Sequence, residues 1–205
     1  VSGADMVFII TGEGGGTGTG SSPVVAQMAK ETGAVVIGVV TMPFESEKSR
    51  IDKAEFGLQE LREASDTCIV IDNNRLVDIA GNLPIEQAFA VANELVSTMI
   101  KGIVETITLP SLINLDYADV SAIMKNGDVA VIGIGESDTS NRVDEAVREA
   151  LTHPLLDVDY RGATGALIHI TCGPDMKLDE FDNIGKLITE NLSPEAQVII
   201  GARIN

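Results

Sequence analysis

The sequence predicts an α/β fold that consists of a parallel-sheet lobe, a long central helix and a second, smaller α/β lobe. Short apolar runs of strand length alternate with helical periodicity, as they do when right-handed crossovers link parallel strands. One apolar helix pattern in the middle of the chain is unusually long, and strand and helix patterns alternate again after Pro110. We therefore expect two partial domains: residues 1–109, with the central helix at about 84–106, and residues 110–205.

The first lobe opens with a buried-strand pattern at residues 4–11 (ADMVFIIT) and continues with a helix pattern that ends at Gly33. Ser21 and Ser22 are the N-cap candidates of this helix, because hydroxyl side chains accept the free N–H groups of a first turn. The lobe also contains predicted strands at 34–41 and 67–72 and a helix at about 49–64.

The central helix is indicated by apolar residues that recur at helical spacing from Pro84 to about Thr106, a length of roughly 33 Å. Because the segment carries few charges, we expect it to be covered on most sides and to run through the middle of the molecule. A coiled-coil seam is the alternative, although its charge-rich flanks are missing. The second lobe combines strand patterns at 128–134, 165–171 and 196–204 with helix patterns near 141–151 and 178–191.

The composition excludes several functional classes. With 14 basic and 31 acidic residues the net charge is −17, whereas a protein that neutralises nucleic-acid phosphates needs clustered Lys and Arg. No apolar run approaches the ~20 residues that cross a bilayer, so we expect a cytoplasmic protein without direct membrane insertion. Cys68 and Cys172 lie in strand-like apolar runs and are predicted to be buried thiols, not disulfide partners or metal ligands.

A glycine-rich segment, GEGGGTGTG at residues 12–20, connects the first strand to the first helix. Glycines let a backbone approach an anion and turn its N–H groups inward, and the dipole of the following helix adds positive potential. The segment lacks the GK[ST] ending of a P-loop and the acidic second strand end of a dinucleotide fingerprint. We predict a phosphate-binding loop, with a merely flexible connection as the alternative.

Ligands of an open α/β sheet bind beyond the carboxyl ends of its strands, so the next two loops are candidates as well. Residues 41–50 offer acid and base side chains for a ribose or for phosphate charge, with a solvated surface loop as the alternative. Asn73 can donate to and accept from a purine edge, with an Asx turn as the alternative. Phe89 and Asn93 share one helix face that could stack on a base, with Phe89 as ordinary core the alternative.

The acidic segment NLDYAD at residues 114–119 follows the far end of the long helix. We expect its carboxylates to lie some 30 Å from the glycine segment of the same molecule, so they could act only on a ligand bound to a neighbour. The alternative is a helix N-cap at Asp116 or Asp119.

Three motifs resemble the FtsZ family of the tubulin superfamily: GGGTGTG (14–20), DNNRL (72–76) and NLDYADV (114–120). GESD (135–138) and GATGALIHI (162–170) are most similar to its archaeal members. The resemblance implies a cytoskeletal protein that binds and hydrolyses GTP and polymerises head to tail for cell division. It also implies that strands with a further phosphate loop precede this chain and that a closing strand follows it. We therefore expect an internal fragment that is inactive alone.

By this resemblance, the glycine segment wraps the phosphates of GTP or GDP, and Glu47 and Arg50 lie near the ribose and the phosphates. The loop that holds this pair is one residue shorter than the family pattern, so Glu45 is the alternative acid. The nucleotide-contacting set that the resemblance implies, beyond Glu47 and Arg50, is Gly14, Gly15, Gly16, Thr17, Gly18, Thr19, Gly20 and Pro43, with Asn73, Phe89 and Asn93 at the guanine.

The resemblance also implies that Asn114, Asp116 and Asp119 enter the nucleotide site of the next subunit in a head-to-tail filament. There the carboxylates orient or polarise the attacking water, and Mg²⁺ bridges the phosphates. Adaptor proteins bind through regions outside this chain, at the mid-cell division ring. Two alternatives remain: a tubulin-like filament protein without turnover, which would discard the acids, and a dinucleotide-binding oxidoreductase, which leaves NLDYADV without a role.

Overall fold

The computed structural model describes residues 1–109, 116–125, 128–152 and 160–204. The chain forms two compact units: Val1–Leu83 with Met124–Val131, and Pro84–Ile123 with Ile132–Asn205. The predicted partial domains, 1–109 and 110–205, refer to domains of the full-length protein, and this division stays a prediction.

A parallel sheet forms the centre of the first unit, with its four strands in chain order. Its second strand is buried along the run VVIGVV, because it lies between two neighbours and is covered by helices on its faces. The packed core is the set Ile9, Ala26, Ala29, Val36, Val40, Leu61, Ala64 and Cys68. The strands are β1 (Met6–Gly12), β2 (Val35–Met42), β3 (Thr67–Asp72) and β4 (Asp128–Ala130).

The fourth strand corrects the sequence prediction. We expected a strand at 128–134 in the second lobe, but the strand ends at Ala130 and pairs with β3 in the first unit. Arg62 donates three hydrogen bonds to the Asp128 carboxylate, two from Nη2 at 3.0 and 3.1 Å and one from Nε at 3.3 Å, and Thr67 donates to the Met124 carbonyl. These contacts hold the segment at the free edge of β3, where it completes another row of backbone hydrogen bonds.

The first helix, α1 (Thr17–Glu31), begins inside the glycine segment, so the prediction of an N-cap at Ser21 or Ser22 is wrong. The Ser21 hydroxyl instead donates to the Thr17 carbonyl at 2.7 Å, and the Ser22 hydroxyl donates to Glu13. The predicted end of the helix is confirmed, since Gly33 has φ +86° directly after the last turn.

Two further helices of the first unit follow β2 and β3. The predicted helix at 49–64 is a 3₁₀ helix (Glu45–Arg50) that runs into α2 (Ile51–Ala64). The sequence did not predict α3 (Asn73–Ala80), which starts as soon as β3 ends and has Asp72 as its N-cap.

The second unit contains the long helix α4 (Ile85–Thr108), as predicted. Its last turns pack on a two-stranded parallel sheet: Thr106 bonds His169 at 2.7 Å, and Glu105 accepts from Arg203 at 2.9 Å. Burial lowers the pKa of His169. Helix α5 (Tyr117–Lys125) follows the acidic segment, where a helix N-cap was the alternative. The elements close to their predicted positions are α6 (Arg142–Leu151), β5 (Gly165–Cys172), α7 (Leu178–Thr189) and β6 (Gln197–Ile204).

The expectation that α4 is covered on most sides is wrong for this chain, since Ile85 is 75% exposed and Phe89 is 40% exposed. None of the helices in the described ranges is both long and apolar enough to cross a bilayer. Cys68 is a free buried thiol whose burial raises its pKa to about 12, and Cys172 is free and half-buried.

Core packing in the first unit depends on Leu61, which is fully buried between α2 and the sheet. We expect Leu61→Ala to lower the free energy of unfolding of the full-length protein by ~2–5 kcal/mol through lost burial and a residual cavity. Urea denaturation measures the change. Leu178→Ala, at a side chain that is 83% exposed, is the matched control and should leave stability unchanged; equal losses in both variants would contradict the packing described here.

Candidate functional site

The glycine segment lies between the end of β1 and the first turn of α1, and it is packed tightly at two of its glycines. Gly14 has φ +89°, and a Cβ built on it would lie 2.9 Å from both Cβ and the carbonyl oxygen of Arg50. A Cβ on Gly18 would contact the Thr11 hydroxyl and lie 2.6 Å from the Gly12 carbonyl oxygen. Neither position has room for a side chain.

Three other glycines of the segment face open space. A Cβ on Gly15, Gly16 or Gly20 would meet no atom within 4 Å. They border a cavity of about 360 Å³, within the size range of small-molecule sites. The remaining lining residues are Thr19 on α1 and Asp52, Lys53 and Phe56 on α2.

The N-terminus of α1 adds to the suitability of this surface for an anion. Gly16 occupies the N-cap position and has no side chain with which to cap the first turn, and that turn contains no acidic residue. N–H groups at a helix start and the positive end of the helix dipole attract phosphate oxygens. The open glycines thus lie where a phosphate group can approach the backbone, and the residues present fit a nucleoside phosphate.

Glu13 is a functional candidate that sequence reasoning missed. It is only 6% exposed, and its backbone N–H donates to the Thr41 carbonyl at 3.0 Å. Its Oε1 accepts a hydrogen bond from the Ser22 hydroxyl at 3.5 Å, and the Thr19 side chain lies beside it. Burial raises the pKa of the Glu13 carboxyl, and the Thr19 and Ser22 hydroxyls offset part of the rise. The available signal was an acidic residue inside a segment predicted to bind an anion.

The loop after β2 brings one predicted pair together. Arg50 Nη1 and Glu47 Oε2 form an ion pair at 2.9 Å, and Glu47 Oε1 accepts from the Phe44 N–H at 3.2 Å. The Glu45 N–H donates to Asn74 Oδ1 at 2.9 Å. The acid that lies beside Arg50 is therefore Glu47. Pro43 is buried at the end of β2.

The loop after β3 contains an Asx turn, which was the alternative to ligand binding for Asn73. The residue that forms this turn is Asp72. Asp72 Oδ1 accepts from the Asn74 N–H at 2.8 Å and from its Nδ2 at 2.7 Å. Asn73 is the first residue of α3 and is half-buried. This arrangement places Asn73 directly beyond the carboxyl end of β3, as predicted for a ligand-binding position.

Phe89 and Asn93 lie one helical turn apart on α4, in the second unit. Asn93 is exposed and Phe89 is 40% exposed, so the alternative that Phe89 is ordinary core is wrong for this chain. Their role as guanine contacts stays a prediction.

The acidic segment is described from Asp116 onward, and Asn114 lies outside the described residues. Asp116 Oδ1 accepts from the Asp119 N–H at 2.8 Å, so Asp116 caps the first turn of α5. Asp119 lies in that turn with an exposed side chain. One of the two carboxylates therefore has a local structural partner, and the other is presented to the solvent.

Comparison with known proteins identifies the two halves of the chain separately. The GTPase domain of the Tubulin/FtsZ family matches residues 1–81, and the C-terminal domain of the FtsZ family matches residues 128–205. Cell division protein FtsZ 2 of Methanocaldococcus jannaschii is 59% identical over 100% of this chain and 55% of its own length. FtsZ 2 of Halobacterium salinarum is 57% identical over 98% of this chain and 51% of its own.

Solved structures agree with these relatives. An empty FtsZ dimer from M. jannaschii superposes with a TM-score of 0.91 at 50% identity, covering 100% of this chain and 60% of that one. CetZ from Methanosaeta thermophila gives a TM-score of 0.82 at 25% identity, over 99% of this chain and 58% of its own. The chain spans about half the length of the curated relatives it matches.

The packing of the glycine segment predicts opposite outcomes for two neighbouring substitutions. Gly18→Ala introduces a Cβ that must displace Thr11 or the Gly12 carbonyl, whereas Gly20→Ala enters open space. We expect Gly18→Ala to lower the melting temperature by several degrees, equivalent to ~1–3 kcal/mol. Gly20→Ala should leave it unchanged or raise it. Calorimetry of both full-length variants checks this, and a destabilised Gly20→Ala with a native-like Gly18→Ala would refute the geometry.

Proposed function

Since the chain belongs to the FtsZ family, we propose that the full-length protein containing it binds GTP, hydrolyses it and polymerises head to tail for cell division. The observation that carries the proposal is the glycine segment at the N-terminus of α1. Gly14 and Gly18 are held by close packing, while Gly15, Gly16 and Gly20 leave backbone open to a ligand. Family membership removes the dinucleotide-binding oxidoreductase alternative.

The proposed phosphate contacts come from Gly14 to Gly20, with Thr17 and Thr19 among them. Backbone N–H groups and the α1 dipole stabilise the triphosphate, as positioned donors do in phosphoryl transfer generally. The Arg50 guanidinium supplies positive charge near the ribose and the phosphates, and Glu47 holds it through their 2.9 Å ion pair. This geometry favours Glu47 over Glu45 as the site acid.

Guanine recognition is proposed for Asn73, Phe89 and Asn93. The amide side chains offer both a donor and an acceptor, which suits the edge of guanine, and the exposed ring of Phe89 can stack on the base. Asn73 supports the proposal by its position beyond the end of β3, on the same sheet edge as the glycine segment.

Hydrolysis is proposed to require a second subunit, which contributes Asn114, Asp116 and Asp119. Asp119 is exposed in the first turn of α5, so its carboxylate is free to orient a water molecule. Mg²⁺ would enter with the nucleotide and neutralise phosphate charge. Within the described ranges no cluster of three acidic, His or Cys side chains is placed to hold a metal, which suits a cation bound chiefly by phosphate oxygens.

Head-to-tail association follows from the division of the site between two surfaces of the subunit. An interface that joins two different patches repeats without closing and generates a filament. The net charge of −17 repels neighbouring subunits, so assembly should strengthen with salt and Mg²⁺. We further propose that these filaments act at the mid-cell division ring, with adaptor proteins bound to parts of the protein outside this chain.

Asp119 provides the direct test of the proposed activity. We expect Asp119→Ala in the full-length protein to retain GTP binding and filament formation while the hydrolysis rate falls by ~10²-fold or more, because an activating group for water is lost. Phosphate release and sedimentation measure the two properties. Asp144→Ala is the matched control, since Asp144 is an exposed acid at the third position of helix α6 as Asp119 is of α5. Equal rates for the two variants would remove Asp119 from the mechanism.

The shared site predicts complementation between two defective proteins. Gly18→Ser damages the glycine segment and leaves the acidic residues intact, whereas Asp119→Ala has the reverse defect. Mixed at equal concentration, they should form some interfaces with one intact segment and one intact Asp119, so turnover should exceed the sum of the separate rates. A mixture no faster than its components would indicate that each site is completed within one molecule.

A further inference from the structure

Glu13 is a buried acid beside the proposed phosphate site that the proposed function does not use. It is 6% exposed, and its Oε2 is fully buried without a hydrogen-bond partner in the described part of the chain. The Ser22 hydroxyl of α1 donates to its Oε1 at 3.5 Å, and the Thr19 side chain of α1 lies next to the carboxyl. A buried carboxyl without a paired cation costs free energy, so its presence here calls for a physical reason.

Thr19 links Glu13 to the glycine segment. Its side chain lies beside the Glu13 carboxyl, since a Cβ on Gly57 would meet both, and its Oγ1 accepts the Gly14 N–H at 2.9 Å. Gly14 is the residue with φ +89°, where the chain turns into the open part of the segment. Packing of the carboxyl against Thr19 and the hydrogen bond from Gly14 to Thr19 therefore connect the buried acid to the backbone that faces the ligand.

The opposite side of Glu13 is closed by α2. A Cβ built on Gly57 would overlap Glu13 Oε2 and Thr19 Cγ2. A glycine inside a helix lowers its stability relative to alanine, and here it allows α2 to approach the carboxyl closely. Gly57 and Glu13 thus fit each other, and α2 presses the carboxyl against α1.

We infer that Glu13 is a positioning residue: through Thr19 and Ser22, and backed by Gly57, it fixes the start of α1 and Gly14 so that Gly15, Gly16 and Gly20 stay open to a nucleotide. The inference rests on the proposed function only in naming GTP as the ligand. Burial raises the pKa of this carboxyl, because desolvation disfavours its charged form. A glutamine has the same shape and keeps an acceptor for the hydroxyls, so it should replace Glu13 well.

The test compares four variants of the full-length protein: Glu13→Gln, Glu13→Ala, Gly57→Ala and, as control, Gly102→Ala. Gly57 and Gly102 both lie inside helices, but a Cβ on Gly102 meets no atom within 4 Å. Affinity is measured with a fluorescent GTP analogue, on samples shown to be folded by circular dichroism. We expect Glu13→Ala and Gly57→Ala to weaken binding by roughly tenfold or more. Glu13→Gln and Gly102→Ala should bind as the unchanged protein does.

Hydrogen exchange of peptides from residues 12–20 separates this inference from the proposed function. Exchange should be faster in Glu13→Ala and Gly57→Ala than in the unchanged protein, whether or not nucleotide is present. If the unchanged protein fails to bind the analogue, the proposed function fails and the exchange rates alone decide the role of Glu13. Should Glu13→Ala not fold, Gly57→Ala serves as the deciding variant. Native affinity together with native exchange in a folded Glu13→Ala or Gly57→Ala protein would overturn the inference.

Discussion

The absence of side-chain volume at three glycines is the constraint on which the candidate site depends. Gly14 lies against the backbone of Arg50, Gly18 lies against the end of β1, and Gly57 lies against Glu13. A side chain at any of them would push apart elements that meet at this sheet edge. Since α1 and α2 both pack over the same parallel sheet, a displacement of either helix would also change the backbone offered to a ligand.

Electrostatics at this edge have to accommodate an acid next to an anion site. A charged Glu13 would oppose phosphate binding; burial raises the pKa of its carboxyl, and the neighbouring hydroxyls offset part of that rise. The other acid of the site, Glu47, is half-buried and is paired with Arg50 at 2.9 Å, so it has its own counter-charge. The positive end of α1, without an acid in its first turn, attracts a phosphate, and Asp52 and Lys53 add charges of both signs at the same cavity.

The sequence was sufficient to predict a helix or strand wherever the pattern was long and local. The apolar run of β3 and the extended periodicity of α4 gave elements close to those observed, because each pattern is set by residues near one another in sequence. It failed where tertiary contacts override local preference. Gly16 occupies the N-cap of α1, so the helix starts at Thr17, and residues 128–130 pair with β3 beside the ion pair of Arg62 and Asp128. The contact between Glu13 and Gly57 joins residues far apart in sequence, so neither periodicity nor motif could show it.

The two readings of the acidic segment, a helix cap and a catalytic loop, are compatible because its carboxylates have different local roles. Asp116 uses one oxygen to accept the Asp119 N–H, which fixes the first turn of α5. That same bond sets the backbone position of Asp119, whose side chain is exposed. A helix start also favours negative charge, so two acids can share this turn without destabilising it. The cap therefore sets the backbone position of an exposed Asp119, as the proposed action across a subunit interface would require.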